Sequence, residues 1–450
     1  CLLTLNRVLF FAGDILMLIS GTSFSWSSPV LPKLLNGTGT PFGRNISTEE
    51  GTWISSLVPL GCAVGPFIFG YMADKVGRKP TLLFLGVPFL AAHIMLAFAR
   101  IVEVYYVARF IIGLAAGGTF TIMPNYAGEM ADKSVRGVLG STLSIATCIG
   151  ILFSYTVGPY VSLMIFNLML AVFPAMFLVL FFFVGEECPH YYVSSGKHEL
   201  AKAALQKIRG ESKRSETEKE FMEIQEKISE EEQTSVSDIV KSRGLIKAFT
   251  ISTFLLIFQQ FTGINLVYYY TQIIFQETGS SLAPEVCSII IGGVQLISSF
   301  TTPFIIDRFG RKITLVISAV GMIVTEAILA TYIYLNMQGV DVTSVAFIPV
   351  LTLTLFIFSY NSGFGPLPWI MLGEVFPSRV KVLASSVVSC ISWIVAFLLT
   401  KYFQLFVSFG LAQSFWLFSG CSLAALLFSQ FFVVETKGKS LKEIQDILNS

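Results

Sequence analysis

Residues 70–79 read Gly-Tyr-Met-Ala-Asp-Lys-Val-Gly-Arg-Lys and place a short charged segment between two long apolar ones. Residues 307–312 repeat its second part as Asp-Arg-Phe-Gly-Arg-Lys, 233 positions later. Farther along each copy an acidic residue follows a proline and a glycine, first as Glu129 and then as Glu374. A repeat that keeps its order predicts two structurally similar halves.

Apolar residues dominate the rest of the chain. Of its 450 residues, 54% are hydrophobic and 13% are charged, whereas a soluble domain has roughly 25% charged residues. A membrane-spanning helix needs about 20 mostly apolar residues. The sequence therefore predicts an all-α membrane protein with two bundles of six transmembrane helices, at residues 8–30, 53–72, 80–99, 104–126, 138–161, 164–184, 248–273, 286–306, 312–335, 345–372, 381–407 and 412–434.

The charged residues concentrate in one segment. Between Glu186 and Lys247 lie 24 of the 59 charged residues, and apolar residues there recur at the spacing of amphipathic helices. We therefore predict an N-terminal bundle, a cytosolic helical linker, a C-terminal bundle and a cytosolic tail, at residues 1–185, 186–247, 248–434 and 435–450.

The short loops predict the orientation. The loops at 74–79 and 307–312 are rich in Lys and Arg, which favours the cytosolic side, so both termini and the linker are expected there too. The first loop on the opposite side carries two glycosylation sequons, at Asn36 and Asn45. The sequence thus predicts a multi-pass glycoprotein of the plasma membrane.

Seven short motifs follow one another in a characteristic order. They are Gly70-x-x-x-Asp74-Lys75-x-Gly77-Arg78-Lys79, Arg109-Phe110-Ile111-Ile112-Gly113 with Gly117, Pro124-x-Tyr126-x-x-Glu129 with Arg136-Gly137, Gln259-Gln260-x-x-Gly263-x-Asn265-x-x-x-Tyr269-Tyr270, Gly363-x-Gly365-Pro366-x-Pro368-Trp369, Glu374-x-Phe376-Pro377, and Glu435-Thr436-Lys437-Gly438. Through them, nearly the whole chain resembles the sugar porter family of the major facilitator superfamily, and within it the insect facilitated trehalose transporter-like proteins. The resemblance implies the major facilitator fold.

The seventh predicted helix carries the candidate sugar site. Gln259, Gln260 and Asn265 are amides at bilayer depth, where polar side chains usually face a bundle interior or a cavity. An amide both donates and accepts hydrogen bonds, as a neutral sugar requires. Their alternative role is to join helices. The resemblance implies that these amides bind the sugar, together with Tyr269.

The tenth predicted helix contains helix-breaking residues. Such breaks are tolerated in a membrane only beside protein or a cavity. We therefore predict a hinge, rather than a passive kink, formed by Gly363, Gly365, Pro366 and Pro368. The resemblance implies that the ring of Trp369 packs against the sugar.

Four positions differ from the hexose carriers of the family. The resemblance aligns Ser144 with a glutamine of the fifth helix, Gln295 with an asparagine of the eighth, Asn361 with a glutamate of the tenth and Ser392 with an asparagine of the eleventh. Several of these side chains are smaller than their counterparts, so the pocket is expected to suit a larger neutral sugar such as trehalose.

The first helix bears on proton coupling. Proton-coupled relatives carry an aspartate where this chain has Ser27, which cannot titrate, so the resemblance favours facilitated diffusion. Two other acids lie in predicted helices. We expect a paired or interfacial structural role for Asp14 and a protonated, hydrogen-bonded acid at Glu326.

Charged residues at the predicted cytosolic helix ends form two matching sets, which the resemblance identifies as a gate that closes the cytosolic side. An ordinary anchoring role for these charges is the alternative. The first set is Asp74, Arg78, Glu129, Arg136 and Glu187, and the second is Asp307, Arg311, Glu374, Lys381 and Glu435.

These observations favour a sugar uniporter for trehalose. A hexose facilitator, a proton symporter and a non-transporting sugar receptor remain alternatives. No cysteine spacing indicates a metal site or a disulfide framework, and no paired acids or nucleophile indicate an enzyme. We expect no cofactor, nucleic acid or obligate protein partner, and as partners only a small neutral sugar and the lipid bilayer.

Overall fold

A computed structural model describes residues 2–37, 40–131, 136–209, 214–232, 243–280, 282–376, 378–439 and 441–449. Within these ranges, the description leaves out the side chains of residues 2–10, 136–138, 209, 214–216, 227, 229–232, 378–379, 381–383 and 441.

The first half of the described chain is helical, and its helices match the predicted spans to within a few residues. They are α1 (Leu2–Ser25), α2 (Ser27–Asn36), α3 (Thr48–Lys75), α4 (Arg78–Phe98), α5 (Val102–Met130), α6 (Arg136–Val157) and α7 (Leu163–Val184). The linker forms α8 (Pro189–Ser194), α9 (His198–Arg209) and α10 (Arg214–Glu232).

The second half repeats the pattern. Its helices are α11 (Arg243–Phe261), α12 (Ile264–Thr278), α13 (Pro284–Phe309), α14 (Arg311–Met337), a short 3₁₀ turn (Thr343–Val345), α15 (Ile348–Ser362), α16 (Leu367–Glu374), α17 (Ser378–Lys401), α18 (Phe403–Phe409), α19 (Leu411–Phe431) and α20 (Leu441–Asn449). Eleven helical stretches of the described chain are long and apolar enough to cross a membrane. The pair α1 and α2 occupies the place of the remaining predicted span.

The two bundles meet along matching helix pairs. In the first bundle α1 packs on α6, α3 on α5 and α4 on α7. Between bundles, α3 packs on α17 and α6 packs on α13. These two contacts exchange equivalent helices of the repeat, as expected for an approximate two-fold axis along the membrane normal.

Small residues allow α3 and α5 to approach backbone to backbone. A Cβ added to Gly61 would lie 2.4 Å from the carbonyl oxygen of Phe110, and one added to Gly113 would lie 2.3 Å from that of Val58. Membrane helices associate through such small-residue contacts because lipid is as apolar as their side chains.

The end of the chain also folds onto the second bundle. The helix α20 packs against α11, with Ile444 and Leu448 in a shared apolar cluster. Asn449 Oδ1 accepts a hydrogen bond of 2.8 Å from the backbone N–H of Gly244. The predicted tail therefore includes an amphipathic helix that closes over one end of the bundle.

Candidate functional site

The seventh span is broken where its amides cluster. Between α11 and α12, Gly263 adopts a φ of +76°, which glycine adopts far more readily than other residues. A Cβ there would also lie 2.9 Å from the ring of Phe418. A second irregularity follows at Tyr270, whose φ of −127° interrupts α12.

The amides around this break bind one another. Gln260 donates from Nε2 to Ser392 Oγ at 2.8 Å, and Asn265 donates from Nδ2 to Gln260 Oε1. All three side chains are buried. The network therefore joins the seventh span to the eleventh through groups that can both donate and accept.

Gln259 connects this break to the break in the tenth span. Its Nε2 donates to the carbonyl oxygens of Phe364 and Gly365, both at 2.7 Å. These carbonyls lie between α15 and α16, where the helix is interrupted. The predicted hinge residues surround this point, with Gly363 and Gly365 in the gap, Pro366 preceding α16 and Pro368 within its first turn.

Aromatic rings from both bundles lie beside the amides. Phe24 stacks on Trp393 with ring centroids 5.6 Å apart and an interplanar angle of 7°. Trp393 also lies 6.4 Å from Trp369, and Phe24 meets Tyr269 edge-on at 6.4 Å. Phe120 completes this aromatic cluster. Sequence reasoning identified Trp369 and Tyr269 but missed Phe24, Phe120 and Trp393.

The remaining predicted binding residues occupy the eighth, tenth and fifth spans. Gln295 donates from Nε2 to Tyr268 OH at 2.9 Å, while its buried Oε1 has no hydrogen-bond partner among the described residues. Asn361 donates to Ser298 Oγ at 3.0 Å. Ser144 is exposed on α6.

A buried arginine faces the position of Ser27. The guanidinium of Arg109 is fully buried and donates to Ser27 Oγ at 3.1 Å, to the carbonyl of Ser23 at 3.0 Å and to that of Ile54 at 3.1 Å. Its Cζ lies 4.7 Å from the ring centroid of Trp26. Among the described side chains no ion pair joins Arg109 to a carboxylate. Its place in the Arg-Phe-Ile-Ile-Gly motif was the only sequence signal for this role.

The two acids predicted within the spans each accept a hydrogen bond from a hydroxyl. Thr142 Oγ1 donates to Asp14 Oδ1 at 3.1 Å, within the first bundle. Ser422 Oγ donates to Glu326 Oε2 at 3.0 Å, between α19 and α14.

The predicted external ends of the bundles touch. Lys401 Nζ, at the end of α17, donates to Thr52 Oγ1 at 3.1 Å and lies 4.1 Å from the ring centroid of Trp53. The backbone N–H of Gln272 in α12 donates to Ser28 Oγ in α2 at 3.2 Å. A cavity of about 240 Å³ lies in this region.

At the predicted cytosolic ends, the described ion pairs of the two charged sets join residues of the same bundle. Arg78 lies 3.4 Å from Asp74 and 3.5 Å from Glu129, and Arg311 lies 2.8 Å from Glu374. Asp307 is exposed. The side chains of Arg136 and Lys381 fall outside the described part of the chain.

The last members of the two sets, Glu187 and Glu435, cap helices. Glu187 accepts from the backbone N–H groups of Arg78 at 2.8 Å and Lys79 at 3.2 Å, at the start of α4. Glu435 accepts from those of Arg311 and Lys312 at 3.0 Å, at the start of α14. A carboxylate stabilises a helix N-terminus through its free N–H groups and its dipole.

The two caps differ in their protonation equilibria. Burial raises the pKa of Glu187 above its ordinary value, although the backbone N–H groups oppose it. Burial also acts to raise the pKa of Glu435, but there the N–H groups prevail and the pKa is lowered. The cap of the second bundle is therefore the more firmly ionised of the two.

Comparison with known proteins places these features in a family. Residues 17–448 match the family described as "Sugar (and other) transporter". Facilitated trehalose transporter Tret1 of Culex quinquefasciatus is 34% identical over 433 residues, which are 95% of this chain and 83% of that one. Tret1 of Bombyx mori is 36% identical over 407 residues, 90% of this chain and 80% of that one.

Solved structures share the fold. The proton:xylose symporter XylE bound to 6-bromo-6-deoxy-D-glucose superposes with a TM-score of 0.78 at 23% identity, over 98% of this chain and 100% of that one. The inward-open conformation of XylE gives the same TM-score at 22% identity, over 97% and 99% of the two chains.

Two six-helix bundles with polar breaks between them form the major facilitator fold, and the family match makes the chain a multi-pass transporter and not an enzyme. The chain belongs to the sugar transporter family. It carries sugar by alternating access, as the fold and the family together establish.

Proposed function

We propose that this protein carries trehalose across the plasma membrane by facilitated diffusion. The observation that carries the proposal is the amide network of Gln259, Gln260 and Asn265, which lies beside the aromatic cluster at the meeting of the bundles. Neutral groups that both donate and accept suit the hydroxyls of an uncharged sugar, and aromatic faces suit its apolar surfaces. The relatives named for trehalose transport support this choice of substrate.

Sugar binding is proposed to act on the tenth span through Gln259. A sugar hydroxyl that accepts from Gln259 Nε2 competes with the carbonyls of Phe364 and Gly365, which now hold this donor. Releasing these carbonyls would change the relative stability of the conformations that the break between α15 and α16 can adopt. The same amide thus belongs to the binding site and to the hinge, so binding energy reaches the moving element directly.

The absence of proton coupling is proposed from the surroundings of Ser27. An acid that couples transport to protons must gain and lose a proton during the cycle. A serine hydroxyl does not titrate at physiological pH. Arg109 instead binds Ser27 Oγ, two backbone carbonyls and the ring of Trp26. None of these partners changes charge, which fits a uniporter.

The substrate is tested by uptake. Vesicles containing the protein should take up radiolabelled trehalose faster than radiolabelled glucose, with saturation and with a lower apparent affinity in Gln259→Ala. Preference for glucose would favour a hexose facilitator. Specific sugar binding without uptake would favour a receptor. Either result contradicts the proposal.

The orientation is proposed from the loop charges and is tested at the sequons. Asn36 and Asn45 are both exposed, next to the predicted external end of α3. Expression in a eukaryotic host should give a glycosidase-sensitive shift in gel mobility that Asn36→Gln with Asn45→Gln removes. A cytosolic label reaching this loop in intact cells would reverse the proposed orientation.

We propose that the two bundles move as separate units, with a cytosolic linker between them and a cytosolic tail after them. The bundles are residues 1–185 and 248–434, the linker is 186–247 and the tail is 435–450. The helices α8–α10 and α20 lie outside the long spans and pack at the predicted cytosolic ends of the bundles. In this scheme the two charged sets close the cytosolic side when the external contacts of Lys401 separate.

A further inference from the structure

Three metal-ligating side chains meet at the predicted cytosolic end of the first bundle. Glu129 lies in the last turn of α5, Cys188 directly precedes α8, and His190 is its second residue. The Cys188 Sγ lies 2.7 Å from Glu129 Oε2 and 3.8 Å from His190 Nδ1. One ligand atom from each residue lies within 4.8 Å of the other two.

The equivalent position in the second bundle shows which side chains the helix ends need to pack without a metal. In the second bundle Thr436 stands where Cys188 does, and its hydroxyl donates to Glu374, the counterpart of Glu129. At the same offset, Gly438 corresponds to His190. A hydroxyl therefore suffices to hold this glutamate, and the thiol and imidazole of the first bundle are an addition that the helix ends do not require.

We propose that Glu129, Cys188 and His190 bind Zn²⁺, with water as the fourth ligand. Thiolate, imidazole and carboxylate are the ligand types of zinc sites, at roughly 2.3, 2.0–2.1 and 2.0–2.2 Å from the metal. A tetrahedron with those bond lengths separates its ligand atoms by roughly 3.3–3.6 Å. The Cys188–His190 distance is close to this value. The Cys188–Glu129 distance must widen by about 1 Å, which small side-chain rotations achieve.

The charges and the access also suit a divalent cation. The guanidinium of Arg78 lies 3.5 Å from Glu129 Oε2, which would oppose a lone cation, but one thiolate and one carboxylate together neutralise Zn²⁺. Cys188 is buried, whereas Glu129 and His190 are half-buried and leave a route from solvent. Because Glu129 also pairs with Arg78, the metal and the charged set would share this carboxylate.

Cobalt substitution tests the site on the purified full-length protein. Equimolar Co²⁺ should produce the near-ultraviolet charge-transfer band of a thiolate–cobalt bond and the intense visible bands of tetrahedral cobalt, and Zn²⁺ should abolish both. The variant Cys188→Thr, which copies Thr436, should lose the charge-transfer band completely. The variant His190→Ala should bind Co²⁺ more than about tenfold more weakly, since even the loss of an outer partner costs 10–100-fold.

The matched control is Cys421→Ser, a half-buried thiol on α19, which should leave the bands unchanged. Thermal unfolding of each variant reports whether it is folded, and His190→Ala keeps the test decisive if Cys188→Thr unfolds. The proposal is overturned if wild-type protein shows no thiolate–cobalt band, or if the band survives in Cys188→Thr. It is also overturned if His190→Ala binds Co²⁺ as tightly as wild type. The readout needs no sugar, so it is independent of the transport proposal.

Discussion

At the residue scale, the amides of the seventh span have partners within the protein that a sugar would have to replace. Gln260 holds Ser392 and Asn265 holds Gln260, while Gln259 holds two carbonyls of the tenth span. A buried amide left without partners costs about 1–3 kcal/mol. In the proposed site, each sugar hydroxyl would take the place of an internal partner, so that neither binding nor release would leave an amide unpaired.

Removing one of these amides should weaken transport. We expect Gln259→Ala or Asn265→Ala to lower the apparent affinity for sugar by about two- to tenfold or more, since a hydrogen bond contributes about 0.5–1.5 kcal/mol. Uptake kinetics at equal surface expression measure this. Gln430→Ala, an exposed amide on α19, serves as the control. Unaltered kinetics in both site variants would show that these amides only join helices.

The buried acid Glu326 should have no part in transport. Its carboxylate meets Ser422 between α14 and α19, and Glu326→Gln preserves both shape and hydrogen bond. We expect the same rate of sugar uptake and the same dependence on external pH in this variant as in wild type. A pH dependence that disappears in Glu326→Gln would identify this residue as a proton carrier.

At the element scale, the broken helices position the site. The seventh and tenth spans are interrupted at the level of the amides, whereas Trp26, between α1 and α2, keeps helical backbone angles. Each break frees backbone groups that side chains then satisfy, as Gln259 does for the tenth span.

The break at Gly263 should be intolerant of a side chain. Gly263→Ala forces a left-handed conformation on a residue with a Cβ and brings that atom to 2.9 Å from Phe418. We expect lower thermal stability and several-fold slower uptake. The control is Gly293→Ala on α13, where nothing lies within 4 Å of an added Cβ. Equal stability and uptake in the two variants would mean that the break is not needed in this form.

The sequence predicts some elements of the structure well and others not at all. Apolar length alone predicted the fourth span well, at 104–126 against the observed Val102–Met130, because the bilayer fixes the length of such a helix. The break at Gly263 was not predicted, because the ring that leaves no room for a side chain there belongs to Phe418, a residue of the last span. The amides were found because they are costly in a membrane. Trp393 was missed because its aromatic neighbours come from other helices.

At the scale of the whole molecule, the two bundles contact each other differently at the predicted external and cytosolic ends. The predicted external ends are joined through Lys401 and Gln272, whereas the described ion pairs at the cytosolic ends stay within each bundle. This arrangement is the one expected of a transporter closed toward the outside. Exposed ion pairs contribute about 0–1 kcal/mol each, yet several together can bias two states that differ by a few kcal/mol.

The charged sets are predicted to favour the state that is closed toward the cytosol. Glu129→Gln or Arg78→Ala should shift the population toward inward-facing and slow net transport while sugar still binds. Lys381→Arg should act in the opposite direction, because a guanidinium forms bidentate contacts that an ammonium cannot form. Accessibility of a single cysteine in the external half of the pathway measures the shift. Glu199→Gln, on the exposed face of α9, is the control. Equal accessibility in wild type and Glu129→Gln would show that these charges do not set the equilibrium.

Facilitated diffusion of a neutral sugar should equalise its concentration across a membrane and do no more. Purified protein in proteoliposomes should bring labelled trehalose to equal concentrations on the two sides, and an imposed proton gradient should leave that end point unchanged, because Ser27 and Arg109 offer no site for a coupled proton. Accumulation of trehalose above the external concentration, driven by the gradient and removed by a protonophore, would instead show a proton symporter.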